Sequence, residues 1–339
     1  MRHWPPALLG LMDVLEAVNA AAYATYRWGW RRSSRATVPV ISVGNIALGG
    51  TGKTPLVAAL ARRLLAAGAR PAILTRGYRR RDSRPVLIAK ERQVPWERAG
   101  DEPALLARAL PEVPIVVDAD RVRGATTAVR EAGATHLLLD DGFQHWRLAR
   151  DLDIVVVEAA DPFGARAPRR EHPDALERAD GIVLSRTADR TEALAAFAVL
   201  GPYAPNAVLV ATKLAATALH LEGQRRPPET INGQRVLALA GIASPEAFVN
   251  SLGDVGAEIA DMRFFSDHHR YRRRELEAVL AEAAAAGATV VTTAKDVVKF
   301  PPDLAQKVAW LEVEAVPFMG SFDELLRPVL SIATVESRT

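Results

Sequence analysis

The sequence predicts an α/β fold, in which helices cover a parallel sheet, joined to a second and smaller α/β domain. One observation is the segment at 38–55, where a β-branched run leads through a glycine-rich turn into a helix start. Another is the alternation of short β-branched runs with alanine- and leucine-rich stretches that follows it. A third is a break at 222–233, after which a second α/β pattern begins. Such alternation favours parallel strands with helices on both faces of the sheet.

Length and composition agree with two domains. A chain of 339 residues is long for one core, since domains average roughly 150 residues. The absence of cysteine excludes disulfides and thiolate metal sites, and agrees with a reducing cytoplasm. The formal charge of +3 is small for this length, so we expect no nucleic-acid partner, and no obligate protein partner is evident.

The N-terminal segment at 4–30 is mostly apolar and ends in an arginine cluster at 27–32. Asp13 and Glu16 interrupt the apolar run, which argues against a secretory signal and against a spanning helix. The pattern predicts an amphipathic helix. It would lie either in a membrane interface, with the arginines on anionic lipid, or on the protein's own core. At an interface three tryptophans would reach headgroup depth: Trp4, Trp28 and Trp30.

Sequence periodicity places strands and helices along both domains. Strands of the first domain are predicted at 38–43, 72–75, 115–117, 136–140, 154–157 and 181–184, with helices such as 56–67, 102–109 and 121–132 between them. The second domain is predicted to have strands at 236–240 and 289–293 and a helix at 275–286. The expected divisions are an N-terminal helix at 1–35, a phosphate-loop domain at 36–222 and a C-terminal domain at 223–335.

The glycine-rich turn predicts a phosphate-binding loop. Its glycines allow successive backbone N–H groups to converge on phosphate oxygens, and Lys53 adds a mobile positive charge. Thr54 places a hydroxyl where a Mg²⁺ ion bridging two phosphates needs a ligand, and the helix starting near Pro55 directs its positive dipole end to the same anion. The predicted nucleotide-binding residues are consecutive: Ala47, Leu48, Gly49, Gly50, Thr51, Gly52, Lys53 and Thr54.

The loop departs from the pattern G-x-x-x-x-G-K-[ST] at Ala47, where the first glycine is expected. We expect the doublet Gly49-Gly50 to compensate for that glycine. The alternative is a glycine-rich turn without chemistry. The strand before the loop and the Gly-Lys-Thr-Pro run at its end favour phosphate binding.

Two carboxylates follow one another at the end of the predicted strand at 136–140. In phosphate-loop proteins the acid at the end of a neighbouring strand holds Mg²⁺, directly or through water. Asp140 is therefore the first candidate metal ligand and Asp141 the second. The alternative is an Asp-Asp-Gly turn, which is common in α/β proteins.

Several other segments suggest chemistry less specifically. Asp101 lies in Gly-Asp-Glu-Pro before a helix, where a capping role would explain it equally well. The aspartate and two histidines at 267–269 follow an aromatic pair and suit proton handling or phosphate binding. Arg76 ends a strand, where its guanidinium could grip phosphate, and a lysine-aspartate pair at 295–296 follows a strand of the second domain.

Taken together, these segments resemble the tetraacyldisaccharide 4′-kinase family, the inner-membrane lipid A kinases. The matching pieces follow the N-terminal apolar helix in the family's order and span nearly the whole chain. They are Ser42-Val-Gly-Asn-Ile, Gly-Gly-Thr-Gly-Lys-Thr-Pro55, Thr75-Arg-Gly-Tyr78, Gly100-Asp-Glu-Pro103, Asp140-Asp-Gly-Phe-Gln-His145, Ala240-Gly-Ile, Asp267-His-His269 and Lys295-Asp-Val-Val-Lys299.

The resemblance implies transfer of the γ-phosphate of ATP, with Mg²⁺, to the 4′-hydroxyl of a tetraacylated glucosamine disaccharide 1-phosphate, the lipid A precursor. It also implies a peripheral or monotopic protein on the lipid surface of the inner membrane, at its cytoplasmic face. By similarity Asp101 is the base, supported by His268, while Lys53, Thr54 and Asp140 serve phosphate and Mg²⁺. Further active-site positions by similarity are Arg76, Tyr78, Glu102, Arg121, Asp141, Gln144, His145 and Glu171.

Two features bear on how far the resemblance reaches. The segment at 163–171 is shorter than its usual counterpart in the family, which leaves the correspondence of Arg170 and Glu171 open. His268 lies after the break at 222–233, so we expect the C-terminal domain to close over the active site and bring His268 to Asp101.

Two other protein classes combine a phosphate loop with some of these features. Membrane-surface ATPases of the cell-division-site and chromosome-partitioning type carry a signature lysine before the loop glycines, where this chain has Leu48. Metallochaperone-type GTPases carry Asn-Lys-x-Asp after a strand, and the nearest segment here is Thr-Ala-Lys-Asp at 293–296. Both classes would leave Asp101 and His268 without a role.

Overall fold

A computed structural model describes residues 6–47, 51–77, 80, 84–90, 94–164 and 169–336. The chain forms two compact units. Unit 1 comprises Met1–Val94, Leu106–Lys213 and Ala315–Thr339, and unit 2 comprises Pro95–Leu105 and Leu214–Glu314. These units differ from the division predicted at 222, because a short early segment joins unit 2 and the C-terminal segment returns to unit 1.

The strands are β1 (Val40–Gly44), β2 (Pro71–Thr75), β3 (Val86–Ile88), β4 (Ile115–Val117), β5 (His136–Asp140), β6 (Leu152–Glu158), β7 (Gly181–Ser185), β8 (Val208–Leu221), β9 (Gln224–Arg226), β10 (Arg235–Ala240), β11 (Glu258–Phe264), β12 (Thr289–Thr293) and β13 (Ala309–Met319). The helices are α1 (Pro6–Arg27), α2 (Lys53–Ala66), α3 (Trp96–Ala99), α4 (Asp101–Ala109), α5 (Arg121–Ala132), α6 (Arg190–Leu200), α7 (Pro245–Asp254), α8 (Arg273–Ala285), α9 (Ala294–Val297), α10 (Pro302–Ala305) and α11 (Phe322–Glu336).

The sheet of unit 1 has the strand order β8-β7-β6-β1-β5-β2-β4-β3, with β1 in the interior. Every pair is parallel except the last, in which the edge strand β3 runs antiparallel to β4. All residues of β1, β2, β5 and β7 are buried, as expected of parallel strands covered on both faces. In the pairing of β1 with β5, Val43 lies opposite Asp140, so the segment after β1 emerges beside that carboxylate.

Helix α2 packs one face into the core of unit 1. Leu56, Leu60 and Leu64 recur every four residues and are fully buried, which is the spacing of one helical face. The helix begins at Lys53, directly after Gly52, whose φ of 82° is in the left-handed region. The sequence of the loop therefore fixes where the helix starts and which end of its dipole faces the turn.

Helix α1 presents two different faces. On one face Arg169 Nε donates to Glu16 Oε1 at 2.8 Å, and Asn19 Nδ2 donates to the carbonyl oxygen of Arg170 at 2.8 Å. On the same face Tyr23 packs on the ring of Trp146. On the other face Val14 and Val18 are 57% and 58% exposed. The helix thus packs on its own unit through a polar and aromatic face and leaves an apolar face uncovered. Within the described residues no helix is both long and apolar enough to cross a membrane.

Unit 2 is built on four parallel strands in the order β11-β10-β12-β13. Leu237 and Leu239 of β10 and Val290 of β12 pack with α8 in one of its cores. The predicted break at 222–233 is a turn, an antiparallel pairing of β9 with β8 and a short 3₁₀ helix at Pro228–Ile231. That segment therefore lies inside unit 2 and does not form a linker.

Candidate active site

The described part of the predicted phosphate loop is held by two strand ends. Leu48, Gly49 and Gly50 lie outside the described residues. The buried Asn45, just after β1, donates from Nδ2 to Thr51 Oγ1 at 3.1 Å. Ser185, the last residue of β7, donates from Oγ to the carbonyl oxygen of Thr51 at 2.8 Å. A Cβ on Gly52 would come within 3.3 Å of Ser185 Cβ, so only glycine fits there without adjustment.

Lys53 faces a carboxylate of the Asp-Asp-Gly turn. Its Nζ lies 3.5 Å from Asp141 Oδ1, and Arg170 Nη1 donates to Asp141 Oδ2 at 2.8 Å. Burial raises the pKa of Asp141, but the positive charges of Lys53 and Arg170 outweigh burial and hold that pKa below its usual value. The carboxylate is therefore ionised at neutral pH and lies next to the loop lysine, where a phosphate-bound cation would need a ligand.

Asp140 is buried at the end of β5 and accepts a hydrogen bond from Thr75 Oγ1 at 3.2 Å. Gly142 follows so closely that a Cβ there would lie 2.6 Å from Leu139 Cβ. The turn and the ligand interpretation of this segment are thus compatible, since the tight turn fixes two carboxylates at the end of a strand. Thr54 and the two carboxylates offer oxygen donors of the kind that Mg²⁺ binds together with substrate phosphates.

No group of three or more His, Asp or Glu side chains arranged to hold a metal occurs in the described ranges. A Mg²⁺ ion bound with a nucleotide needs only one or two protein carboxylates, because phosphate and water oxygens complete its shell. The donor set formed by Thr54, Asp140 and Asp141 fits that requirement.

Gln144 connects the turn to the described segment that begins at Arg169. Its Nε2 donates to Glu171 Oε1 at 2.7 Å and to the carbonyl oxygen of Asn45 at 3.0 Å. Arg170 Nη1 lies 3.3 Å from Gln144 Oε1, and Arg178 pairs with Glu171 at 2.9 Å. Despite the shortened segment, the structure brings Arg170 and Glu171 to the other residues of the turn that follows β5.

Arg121 and His145 add one buried cation and one neutral imidazole. Arg121 donates to the carbonyl oxygen of Asp118 at 2.7 Å, and burial lowers its pKa to about 10 despite the nearby Asp140, so it stays charged at neutral pH. Burial and the charges of Arg121 and Arg150 lower the pKa of His145 to about 4, which leaves that ring neutral. Its Nε2 is buried without a hydrogen-bond partner among the described residues.

The remaining predicted positions are less informative. Arg76 is exposed just after β2, and its charge contributes to the lowered pKa of Arg121. Glu102 is half-buried in the first turn of α4. Tyr78 lies outside the described residues. Ala47 forms a β-bridge with Arg169, next to the segment that carries Arg170.

Unit 2 contains the predicted base and its imidazole. His268 Nδ1 lies 2.7 Å from Asp101 Oδ2, and the Asp101 side chain is largely buried. Burial raises the pKa of Asp101, but the hydrogen bond and charge of His268 and the charge of Lys299 outweigh it, so the pKa lies below its usual value. An ionised carboxylate only accepts hydrogen bonds, so Nδ1 carries the shared proton.

The pairing of His268 with Asp101 requires no closure between the two units, while closure of the C-terminal domain over the active site stays a prediction. Both residues belong to unit 2 and are already bonded there, although 167 positions separate them in sequence. The segment carrying Asp101 joins unit 2 through contacts such as Arg270, which lies 5.7 Å from the centroid of the Trp96 ring. The neighbouring His269 takes no part in the pair, since its Nε2 bonds Glu275 at 3.1 Å.

Several residues that hold these groups in place have no specific sequence signal. Asn45 lies in a segment that matches the family, and in the structure it contacts both the phosphate loop and Gln144. Ser185 directly follows the strand predicted at 181–184, with nothing else in the sequence to mark it. Asp267 lies beside the two histidines, but its bond of 2.9 Å to Lys295 depends on the fold.

A family model described as tetraacyldisaccharide-1-P 4′-kinase matches residues 5–331. The chain belongs to this family. The tetraacyldisaccharide 4′-kinase of Anaeromyxobacter dehalogenans strain 2CP-C is 48% identical over 302 residues, covering 85% of this chain and 79% of that protein. The enzyme of the same name from Paramagnetospirillum magneticum is 42% identical, covering 86% of this chain and 87% of that protein.

The structural comparison agrees with the sequence comparisons. A crystal structure of LpxK from Aquifex aeolicus in complex with ATP superposes with a TM-score of 0.76 and is 27% identical, covering 96% of this chain and 98% of that one. The predicted phosphate-loop α/β fold and the family resemblance are therefore confirmed. Membership of this family excludes the two alternative classes, the membrane-surface ATPase and the metallochaperone-type GTPase.

Proposed function

We propose that this chain is a kinase of lipid A biosynthesis, which transfers the γ-phosphate of ATP to the 4′-hydroxyl of a tetraacylated glucosamine disaccharide 1-phosphate. Family membership supports this activity, as does the name shared by relatives that cover most of the chain. Phosphoryl transfer requires a cradle for the donor phosphates, charge neutralisation and a base for the acceptor hydroxyl. Each requirement has a candidate group in this chain.

The observation that carries the proposal is the pairing of Asp101 with His268 at 2.7 Å. A general base must be ionised and correctly oriented when substrate arrives. The lowered pKa of Asp101 meets the first condition, and its hydrogen bond to the imidazole meets the second. In our proposal Asp101 accepts the proton of the sugar hydroxyl, while His268 orients the carboxylate and stabilises its charge.

On the donor side, we propose that the backbone and Lys53 of the phosphate loop bind the nucleotide phosphates. Thr54, Asp140 and Asp141 would hold Mg²⁺, which when bound supplies positive charge to the transferring phosphoryl group. Arg170 and Arg121 add fixed positive charge near the same two carboxylates. Binding and catalysis in unit 1 would thus rest on electrostatic stabilisation arranged before substrate arrives.

We also propose that the exposed face of α1 binds the lipid surface at the cytoplasmic face of the inner membrane. Val14 and Val18 form an uncovered apolar strip, and Trp28 and Trp30 are exposed just beyond the helix end. Arginines at 27, 31 and 32 follow the same strip and suit anionic headgroups. A protein held there would meet an acylated substrate that is itself confined to the membrane.

The decisive experiment incubates the protein and Mg²⁺ with γ-labelled ATP and a tetraacylated disaccharide 1-phosphate in mixed micelles. We expect label in the lipid fraction, and none when the 4′-hydroxyl is already phosphorylated or when Lys53→Ala is used. Release of inorganic phosphate without labelled lipid would identify an ATPase and refute the proposed transfer.

A further inference from the structure

The imidazole of His268 lies between two carboxylates. Its Nδ1 contacts Asp101 at 2.7 Å, while its Nε2 lies 3.6 Å from Asp267 Oδ2. The first contact is a short hydrogen bond, whereas the second is longer than a hydrogen bond and acts through charge. The ring is thus held from both nitrogens, although only the Asp101 side belongs to the proposed base.

Asp267 is in turn held by a lysine. Lys295 Nζ donates to Asp267 Oδ1, the oxygen away from the imidazole, at 2.9 Å. Partial burial raises the pKa of Asp267, but the charges of Lys295 and His268 outweigh it and the pKa lies below its usual value. Lys295 is 21% exposed and Asp267 38% exposed, so the carboxylate reaches solvent and the pair is partly screened.

The two residues come from different loops of unit 2. Asp267 lies after β11, and Lys295 lies in α9, directly after β12. Both strands are parallel to β10, so their carboxyl ends emerge on the same edge of the sheet. Their ion pair therefore ties together the loop that carries His268 and the loop that follows the neighbouring strand.

The four side chains form a row of alternating charge when the imidazole is protonated: Lys295, Asp267, His268 and Asp101. The imidazolium donates from both nitrogens, whereas the neutral ring has only one N–H. A nearby anion stabilises an imidazolium and a nearby cation destabilises it, so substitutions at Asp267 and at Lys295 should act on the ring in opposite directions. Other charged groups near this row, among the described residues, include Lys299, which acts on Asp101 and bonds the buried Asp296, and Glu275, which bonds His269.

We propose that Asp267 and Lys295 are positioning residues for the base, an inference that rests on the proposed kinase function. Asp267 holds the ring of His268 directed at Asp101, and Lys295 in turn holds Asp267. Neither residue needs to touch substrate. The alternating row also adds no net negative charge beside a carboxylate that must approach a phosphate-bearing substrate.

The test compares pH profiles of lipid phosphorylation by the full chain carrying Asp267→Asn or Lys295→Met. Removing the anion disfavours the imidazolium, so Asp267→Asn should lose activity at lower pH than wild type, with kcat reduced about tenfold and KM for ATP within about twofold. Removing the cation leaves the negative charge of Asp267 free to stabilise the imidazolium, so Lys295→Met should retain activity to higher pH than wild type. Opposite shifts of the two pH profiles are the result expected if the row of alternating charge acts on His268.

Asp303→Asn is the matched control, because Asp303 is an exposed carboxylate of unit 2 that pairs with Arg273 at 2.7 Å. It should leave the profile unchanged. Nitrogen NMR of the His268 ring in the same variants provides a readout independent of activity, and its titration should move in the same opposite directions.

Shifts of the same sign in both variants, or no shift in either, would overturn the inference even if the variants fold normally by circular dichroism. That outcome leaves the kinase proposal intact as long as the wild-type protein labels the lipid. A wild-type protein that transfers no phosphate would refute the kinase proposal instead. The NMR titration would then still decide whether Asp267 and Lys295 act on the ring.

Discussion

The hydroxyl of Ser185 donates to the carbonyl oxygen of Thr51 at 2.8 Å and so ties the end of β7 to the phosphate loop. The same side chain lies 3.3 Å from where a Cβ on Gly52 would be. A residue 134 positions away in sequence therefore limits the conformations of the loop. Such fixing of a loop lowers the entropic cost of ordering it around phosphate.

Ser185→Ala should raise KM for ATP about three- to tenfold with little change in kcat, because one hydrogen bond that orders the loop contributes roughly 1 kcal/mol. Steady-state kinetics with varied ATP measure this effect. Ser251→Ala is the control, since Ser251 donates to a helix carbonyl within α7. An unchanged KM for ATP in Ser185→Ala would show that the loop is ordered without this bond.

Lys53→Ala should reduce lipid phosphorylation by at least about a hundredfold, because the transferring phosphoryl group loses the positive charge of the loop. Its Nζ is also a neighbour of Asp141 at 3.5 Å, so the variant removes one of the positive charges beside that carboxylate and leaves its bond to Arg170. Thermal unfolding with and without ATP separates a folding defect from a catalytic one. Turnover close to wild type would refute the assignment of the phosphate loop.

Asp101→Asn and His268→Ala should each lower kcat by about a hundredfold or more while ATP binding persists, because both act on the acceptor hydroxyl. As the two side chains are directly bonded, we expect the double variant to lose little more than either single variant. Single-turnover kinetics on all four proteins complete the cycle. Losses that multiply fully would show that the two residues act independently.

The buried His145 predicts a pH-dependent stability. Its pKa is lowered from 6.5 to about 4 in the folded state, so below pH 6.5 the unfolded chain binds a proton that the fold excludes. The free energy of unfolding is therefore unaffected by this histidine above pH 6.5 and decreases as the pH falls towards 4, by up to about 3 kcal/mol.

Urea unfolding of the wild type and of His145→Gln, followed between pH 7 and pH 4, measures this contribution. The glutamine variant cannot take up the proton, so its stability should fall less over that interval. Parallel curves for the two proteins would contradict the assignment of a neutral, buried imidazole.

Replacing the exposed valines of α1 by aspartate should release the protein from lipid. Val14→Asp and Val18→Asp should weaken sedimentation with anionic vesicles and raise KM for micellar lipid about tenfold, without changing ATP binding. Val199→Asp on α6 is the control, since Val199 is 49% exposed on another surface helix. Vesicle binding equal to wild type in both α1 variants would refute the proposed lipid contact.

The sequence predicted those parts of the fold whose signals are local. Four elements have the predicted bounds: the strands at 115–117, 136–140 and 289–293 and the helix at 121–132. Each strand is a compact apolar run, and the helix is an amphipathic segment between capping residues. The short edge strand Val86–Ile88 and the long strand Val208–Leu221 were missed. Their pairing depends on neighbours that the sequence does not specify.

The same distinction holds at the site. The phosphate loop and the Asp-Asp-Gly turn follow strands directly, so their chemistry can be read from consecutive residues. The grouping of Asp101 with unit 2 cannot, because it depends on packing between segments 167 positions apart. Family resemblance identified the partner of Asp101, whereas composition and spacing alone suggested only a helix cap.

If α1 binds lipid as we propose, its contacts connect the lipid-bound face of the protein to the phosphate site. Glu16 holds Arg169, Asn19 holds the backbone of Arg170, and the side chain of Arg170 reaches Asp141. A helix immobilised in the headgroup layer would restrain Arg170. A helix free in solution would leave the position of Arg170 less restrained. Detachment from lipid would then reduce the rate of phosphoryl transfer as well as access to the substrate. It would thus limit ATP hydrolysis where no acceptor lipid is present.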